Sequence, residues 1–330
     1  MTSDDKHTSL LIIGNSESTN KTCKIEKFNT LFDVEKEYGK DSDLYQAYKL
    51  AKNYSAPDVY LVNMRTISDF LNIANQLIDY DFAYICPTKI MFSDRYTDRY
   101  NKDLTDYYLN VLSSNCYKNR SMIIVTDKHS SLFEDIDEFN NYYDAIVQKF
   151  TSVHNKNKFL DNIILVGNNL KYIQYSNIVV AAKLAATPIN EYPLLSNEDT
   201  DFILDYKDML PNVVYYRNSS LVGTTVENLV NLSSENPNKS VMVMRIIYYL
   251  VREMDFDEYI GKNYRKFYLL KIRDRLESLL KQNVGFVLYD YHIDSVEEQL
   301  RENGLGVDII LRYTLYPLFT TESYTAEQRL

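Results

Sequence analysis

Residues 162–188, NIILVGNNLKYIQYSNIVVAAKLAATP, decide the fold. Asn162 to Gly167 is apolar at consecutive positions, so it reads as a strand buried on both faces, without the polar alternation of a half-exposed one. Gly167-Asn168-Asn169 ends it as a turn. Ser176 to Ala186 reads as a helix of small and branched apolar residues, buried on most sides, closing at Thr187-Pro188. A fully apolar strand followed by a buried helix belongs to a mainly parallel sheet covered on both faces.

The same alternation runs back to the N-terminus. Thr8 to Gly14 (TSLLIIG), Asp58 to Met64 (DVYLVNM), Phe82 to Cys86 and Ser121 to Thr126 (SMIIVT) read as strands, the third closed by Pro87. Between them the pattern predicts helices. Asn29 caps one running to Glu37 and ended by Gly39, and Asp43 opens another from Leu44 to Tyr54. Ile67 to Tyr80 carries Phe70, Leu71, Ala74, Leu77 and Ile78 at three- and four-residue spacing. Tyr100 to Cys116 and Glu138 to Val153 complete the set.

After Pro188 the character changes. Residues 189–212 are irregular and acidic, Val213 to Arg217 reads as a strand, and Asn231 to Lys239 is a polar loop. Two long helical patterns follow, Val241 to Phe256 and Asn263 to Gln282. Gly285 to Ile293 reads as a strand, and Asp294 or Ser295 caps a short helix from Val296 to Arg301. Gly304 and Gly306 lead into a long strand-like run, Val307 to Thr320. Pro317 near its end suits an edge position, and such a strand needs a partner edge. Residues 321–330 read as a mobile tail. The expected fold class is α/β (α+β): a mainly parallel sheet flanked by helices, then a C-terminal helical and strand part with an extended β arm. The expected divisions are 1–188, 189–239, 240–306 and 307–330.

Composition narrows the function. Lys plus Arg is 36 and Asp plus Glu is 46, a net charge of −10. That balance argues against nucleic acid, whose binding needs clustered positive charge, and against an anionic membrane surface. The apolar run Ile178 to Ala186, broken by Lys183, is far short of the about 20 residues of a membrane span. Leu10 to Ile13 is too short for a signal-peptide core. Cys23, Cys86 and Cys116 are odd in number and widely spaced, giving no disulfide framework and no zinc pattern. The 30 tyrosines read first as AT-rich coding bias; the second reading is interface use, since tyrosine gives a large contact area with a polar handle.

No catalytic, cofactor-binding or metal motif emerges. There is no dinucleotide fingerprint, phosphate loop, zinc-protease helix or nucleophile elbow. Gly14-Asn15-Ser16 follows a strand as a phosphate turn does, but Glu17 and Ser18 come next, so a strand-ending turn is the reading. His7, His129, His154 and His292 are not at ligand spacing. The acids of Glu134 to Glu138 and Glu253 to Glu258 read as solvated faces or helix first turns. Lys262, Arg265, Lys266, Lys271, Arg273 and Arg275 interleave with Asp274 and Glu277, as on an ion-paired exposed face. The sharper alternative is contact with an acidic neighbouring subunit.

The ordered set of segments resembles contractile-tail sheath proteins of phages and phage-derived bacteriocins. The carrying residues are TSLLIIG followed by Phe28 to Gly39, then Ser42 to Lys49, Val59 to Asn63, Phe82 to Pro87, Val180 to Pro188, and Asp257-Glu-Tyr-Ile-Gly-Lys262 between two long helices. The resemblance spans nearly the whole chain. It implies a virion structural subunit and not an enzyme, with no cofactor and no metal. Such subunits are assembled in the host cytoplasm as homo-oligomeric rings around a tail tube protein, joined to baseplate and tail terminator proteins, with no nucleic acid and no membrane insertion. It also implies that arms of neighbouring subunits add strands to one another's sheets. Val307, Ile309, Leu311, Tyr313 and Leu315 of the terminal strand, with Lys262, Arg265 and Lys266, are then the candidate intersubunit contacts. Only Met1 to His7 precede the first strand, short for an N-terminal arm, and the outer insertion domains of larger sheaths are absent. The alternatives are a sheath-like neck, baseplate or tail-end component, or an α/β enzyme with an unrecognised site.

Overall fold

The structure is a computed structural model that describes residues 7–88, 114, 116, 119–154, 162–170, 173–195, 213–219, 223–227, 240–254, 256, 266–301, 304–315 and 327–328. The chain divides into two compact units, one of residues 1–188 and 193–241, the other of 189–192 and 242–330.

The first unit is built on a six-stranded sheet. β1 (Ser9–Gly14), β3 (Asp58–Asn63), β4 (Tyr84–Pro87), β5 (Met122–Thr126) and β6 (Ile163–Val166) run parallel, and β2 (Glu26–Phe28) joins antiparallel, in the order β2-β3-β1-β4-β5-β6. Every residue of β1, β4, β5 and β6 is buried, because helices cover both faces. One face presents Leu11, Ile13, Val62, Ile85, Ile123, Val125, Ile163 and Leu165. It packs on Phe70, Ile73 and Ala74 of α3 (Ile67–Gln76) and on Phe139, Tyr143, Ile146 and Val147 of α4 (Ile136–His154). α2 (Asp43–Asn53) and α5 (Ser176–Ala186) lie on the other face. β2 was not foreseen. It is three residues long and bears one face half-exposed, so no apolar run announces it.

Both edges of this sheet are short or closed. β2 pairs only Val59 to Leu61 on one side. On the other, Gly167 N donates to Val214 O at 2.8 Å and Val214 N to Leu165 O at 2.9 Å, capping β6 in parallel. A separate sheet holds β7 (Leu194–Leu195), β8 (Tyr215–Ser219) and β9 (Gly223–Glu227), inside the segment read as mostly irregular.

Helix ends follow capping chemistry, which moves some expected boundaries. α1 (Leu31–Tyr38) is capped by Thr30, not Asn29, its hydroxyl accepting from Asp33 N at 3.1 Å. Ser42 caps α2 the same way, accepting from Tyr45 N at 3.1 Å, so Asp43 falls in the first turn. α3 gives way to a 3-10 turn at Leu77–Asp79, where the Asn119 amide donates to the carbonyls of Leu77, Ile78 and Tyr80. α1 ends on Gly39 at φ 78°, ψ 150°, a region nearly restricted to glycine. A Cβ there would also lie 2.6 Å from Ser18 Oγ. Gly39→Ala is therefore expected to destabilise the first unit by about 2 kcal/mol, read from denaturant midpoints.

The second unit pairs α6 (Val241–Glu253) and α7 (Lys266–Asn283) with a long antiparallel hairpin, β10 (Leu288–Arg301) and β11 (Gly304–Leu315). β12 (Glu327–Gln328) meets β11 at Thr314 and Tyr313. The expected helix at Val296 to Arg301 is not there: this segment is the far half of β10. Its helix-favouring Glu297-Glu298-Gln299-Leu300 is overridden by a continuous ladder to Gly304 through Asp308. Residues 285–287, expected as strand, form a turn in which Gly285 N donates to Leu288 O at 2.9 Å. The expected helix over residues 100–116, save Ser114 and Cys116, the loop 231–239 and residues 316–326 lie outside the described residues.

Candidate functional site

A parallel sheet of this kind binds small molecules where its connections reverse, at the strand carboxyl ends. Here the chain passes from β3 across β1 to β4, which puts that crevice between β1 and β4. Among the described residues, Leu44 and Thr88 crowd it. Thr88 donates to Ile13 O through its N–H at 2.8 Å and its hydroxyl at 3.1 Å. A Cβ on Gly14 would sit 2.9 Å from both Leu44 Cδ2 and Thr88 Oγ1. The glycine is needed for close approach, not for a ligand.

The turn after β1 is tied internally as well, although Asn15 Oδ1 is buried with no hydrogen-bond partner. Ser16 N, the kind of group a phosphate would need, donates to Asn63 Oδ1 at 2.9 Å. Asn63 Nδ2 donates to Ser16 O at 3.1 Å and Lys21 O at 3.0 Å. The Arg65 guanidinium donates to the carbonyls of Ser16, Glu17 and Thr19. After β6, Asn168 N donates to Tyr143 Oη at 3.1 Å, and Asn168 Nδ2 to Asp127 O at 3.0 Å and Gln174 O at 2.9 Å. Ser176 Oγ donates to Asn168 Oδ1 at 2.6 Å. Both turns singled out in the sequence are thus held by internal hydrogen bonds, but Asn15 Oδ1 and both polar side-chain atoms of Asn169 are buried without a hydrogen-bond partner.

The reactive side chains are held in inert states. Burial pushes the thiols of Cys86 and Cys116 up. Burial, then a hydrogen bond to the Asp69 carboxylate, does the same for Cys23. None is poised as a thiolate. His129 is engaged at both ring nitrogens, with Ser131 Oγ at 2.8 Å and Leu170 O at 2.7 Å. The acids at 134–138 build a helix start: Asp135 Oδ1 accepts from Glu138 N at 2.8 Å and Glu138 Oε2 from Glu134 N at 2.9 Å. Among the described residues no three His, Cys, Asp or Glu side chains converge to hold a metal. No described helix is long and apolar enough to cross a membrane.

The terminal hairpin is the feature with something left to offer. Its inner face sets Tyr291 opposite Tyr313, Ile293 opposite Leu311 and Val296 opposite Ile309. These pack with Leu315 onto Ile246, Leu250, Leu276, Leu280, Val287 and Leu288. Of the candidate contact residues, Ile309, Leu311, Tyr313 and Leu315 therefore direct their side chains into their own unit, and Val307 is half-buried opposite Glu298. What β11 can give another chain is main chain, along the edge that β12 meets only at Tyr313 and Thr314. On the outer face Ile310 is 53% exposed. Beside it Arg312 grips Asp294 with two bonds, Nε to Oδ2 at 2.8 Å and Nη2 to Oδ1 at 2.5 Å. Those bonds hold the Asp294 carboxyl below the usual carboxylate range.

β10 carries two bulges, at Tyr289 and Asp294, where the register skips a residue while β11 stays continuous. The second explains why the sequence misled. Inward apolar positions fall at 291, 293 and 296, so the period of two breaks at the bulge, and Asp294 and Ser295 at the break are residue types that cap helices. Of the basic candidates, Lys266 opens α7, and Lys262 and Arg265 lie outside the described residues. Further along α7, Ile272, Leu276 and Leu280 form the buried stripe and Lys271, Arg273, Asp274, Arg275 and Glu277 the exposed face.

No protein-family model matches this chain, and no curated protein sequence does. Solved structures do match, and chains of contractile sheaths are among them. One chain of the anti-feeding prophage helical sheath in its contracted state superposes with a TM-score of 0.65 at 8% identity, over 98% of this chain and 94% of that one. The contracted sheath of an extracellular contractile injection system, PVC, gives 0.65 at 13% identity, over 95% and 89%. The sheath tail protein of Listeria innocua gives 0.61 at 10% identity, over 98% and 96%. The fold is that of contractile sheath proteins.

Proposed function

We propose that this chain is the structural subunit of a contractile sheath. Copies form rings stacked around a tail tube, and a change in how copies contact one another drives the tube into a target. The observation that carries this reading is the extent of the likeness, 95–98% of the chain in the three sheath structures. It takes in the hairpin unit as well as an α/β core of a kind that many enzymes share. On this reading the energy comes from repacked contacts between subunits and not from a catalysed reaction, which accords with the crowded crevice at the strand ends. The partners are further copies of the chain, a tube protein, and baseplate and terminator proteins at the two ends. The protein resides in the tail of the particle and is assembled in the host cytoplasm. Strand addition joins the copies: the core sheet has a three-residue edge at β2 and a capped one at β6, so the hairpin is where a neighbour's strand can add.

A second reading has one observation in its favour. A chain in the baseplate structure of the anti-feeding prophage matches with a TM-score of 0.66 over 98% of this chain, which suits a sheath-like component at the end of a tail. Electron microscopy of the concentrated purified protein separates the two. Tubes or stacked rings with a wide lumen are expected for the sheath subunit. Single rings formed only with a partner would favour the tail-end component, and dispersed monomers under every condition, with or without partners, would overturn both.

A further inference from the structure

The second unit has two outward faces, and they differ in charge. α7 packs on the inner face of the hairpin, Leu276 and Leu280 lying against Leu288, Tyr313 and Leu315. The solvent face of α7 and the outer face of the hairpin therefore look away from each other. Among the described residues of α7, the exposed charges are Lys271, Arg273, Arg275 and Lys281 against Asp274 and Glu277, a basic surplus. On the hairpin they are Asp290, Asp294 and Glu297 against Arg312, an acidic surplus, with the exposed His292 beside them. Arg312 is already committed to Asp294. The ladder also sets Glu297 opposite Asp308, and two acids facing each other across a strand pair oppose the pairing. A cationic surface laid over this face would offset that repulsion.

The two faces also match in other respects. Each carries one exposed aliphatic residue amid its charges, Leu270 at 65% and Ile310 at 53%, the mixture of apolar centre and polar rim that interfaces use. Their charged rows are of similar length. Lys271 to Lys281 covers about 15 Å at the helical rise, and Asp290 to Glu297 roughly 20 Å along a strand.

We propose that these faces are the two halves of one contact: the acidic outer face of the hairpin in one copy receives the basic face of α7 in a second copy. The halves are different surfaces on opposite sides of the unit, so the contact is head-to-tail and repeats into a ring or a helix, whereas a self-complementary patch would stop at a pair. It joins faces and makes no use of the strand edges. This rests on the sheath reading, and it adds which side-chain surfaces of the second unit meet and the charge that selects them.

Charge-reversed variants of the full-length chain test it, with assembly read by sedimentation and electron microscopy. Asp290→Lys with Glu297→Lys, or Lys271→Glu with Lys281→Glu, sets like charges against each other and is expected to cut the assembled fraction about tenfold or more. All four substitutions together restore the attraction with its signs exchanged, and are expected to return the assembled fraction to within about threefold of the parent. Denaturant midpoints check that each variant folds. Where reversal disturbs folding, Asp290→Asn with Glu297→Gln removes the charge alone and is expected to cut assembly about threefold. Reversed or neutral pairs that assemble like the parent, or a quadruple variant no better than either pair, would overturn the contact and leave the sheath reading standing. A parent chain that forms no rings or tubes would remove that reading and this inference with it.

Discussion

Replacing Tyr313 by alanine is expected to destabilise the second unit by about 3–5 kcal/mol, the range for removing a large buried ring. Tyr313 is 5% exposed and sits in the cluster with Leu276, Leu280 and Val287. Tyr313→Phe keeps the ring and should stay within about 1 kcal/mol. Ile310→Ala, on the opposite face of the same strand, should also stay within about 1 kcal/mol, since Ile310 is 53% exposed. Denaturant unfolding of the three variants reads the contrast. It bears on function because the resemblance implies that the last strand is an arm exchanged between copies. With its inner face built into the unit's own core, deletion of residues 304–330 should instead unfold that unit. Equal and small effects of Tyr313→Ala and Ile310→Ala would return β11 to the role of a detachable arm.

Asn63→Ala should cost the first unit about 3 kcal/mol. The Asn63 side chain is 1% exposed and makes three hydrogen bonds into the turn after β1. Removing it leaves the buried Ser16 N–H without its acceptor, and a buried donor left unmade costs about 1–3 kcal/mol in its own right. The Lys21 carbonyl loses its Asn63 donor, while Ser16 O keeps Arg65 at 3.1 Å. Thermal unfolding gives the magnitude. Limited proteolysis gives the location, with cleavage expected first within residues 15–22. A variant as stable and as protease-resistant as the parent would mean that Arg65 holds the turn unaided.

Much of this architecture was open to inspection in the chain itself. Strands buried on both faces leave continuous apolar runs, so β1, β3, β4, β5 and β6 announced themselves, and the Ser176–Ala186 helix was placed to the residue. Elements whose stability comes from a partner were harder to see. β2 exists because β3 has an edge to be covered, and its own three residues carry no pattern. The far half of β10 reads as helix in isolation and becomes strand because β11 lies beside it. Its own residues, Val296-Glu-Glu-Gln-Leu-Arg301, carry no apolar alternation that would have said so. For the site the matter is similar. That no catalytic motif stands in the chain could be read directly, whereas the crowding of the strand-end crevice by Thr88 and Leu44 depends on residues far apart in sequence. The five candidate residues of the last strand alternate along one face, and Ile309, Leu311, Tyr313 and Leu315 of that face pack within their own unit.

The hairpin also has mechanical consequences. Its strands lie antiparallel over twelve paired positions, and in such a ladder the hydrogen bonds stand perpendicular to the strands. Tension along the strands loads all the rungs at once, as in a lap joint, while tension across one end opens them singly, as in a zip. A strand laid along β11 and pulled along its axis would be held in the strong direction, and the same joint would peel apart under a small sideways force at its end. The strength of a link of this kind is therefore set by the direction of the pull as much as by the number of bonds in it.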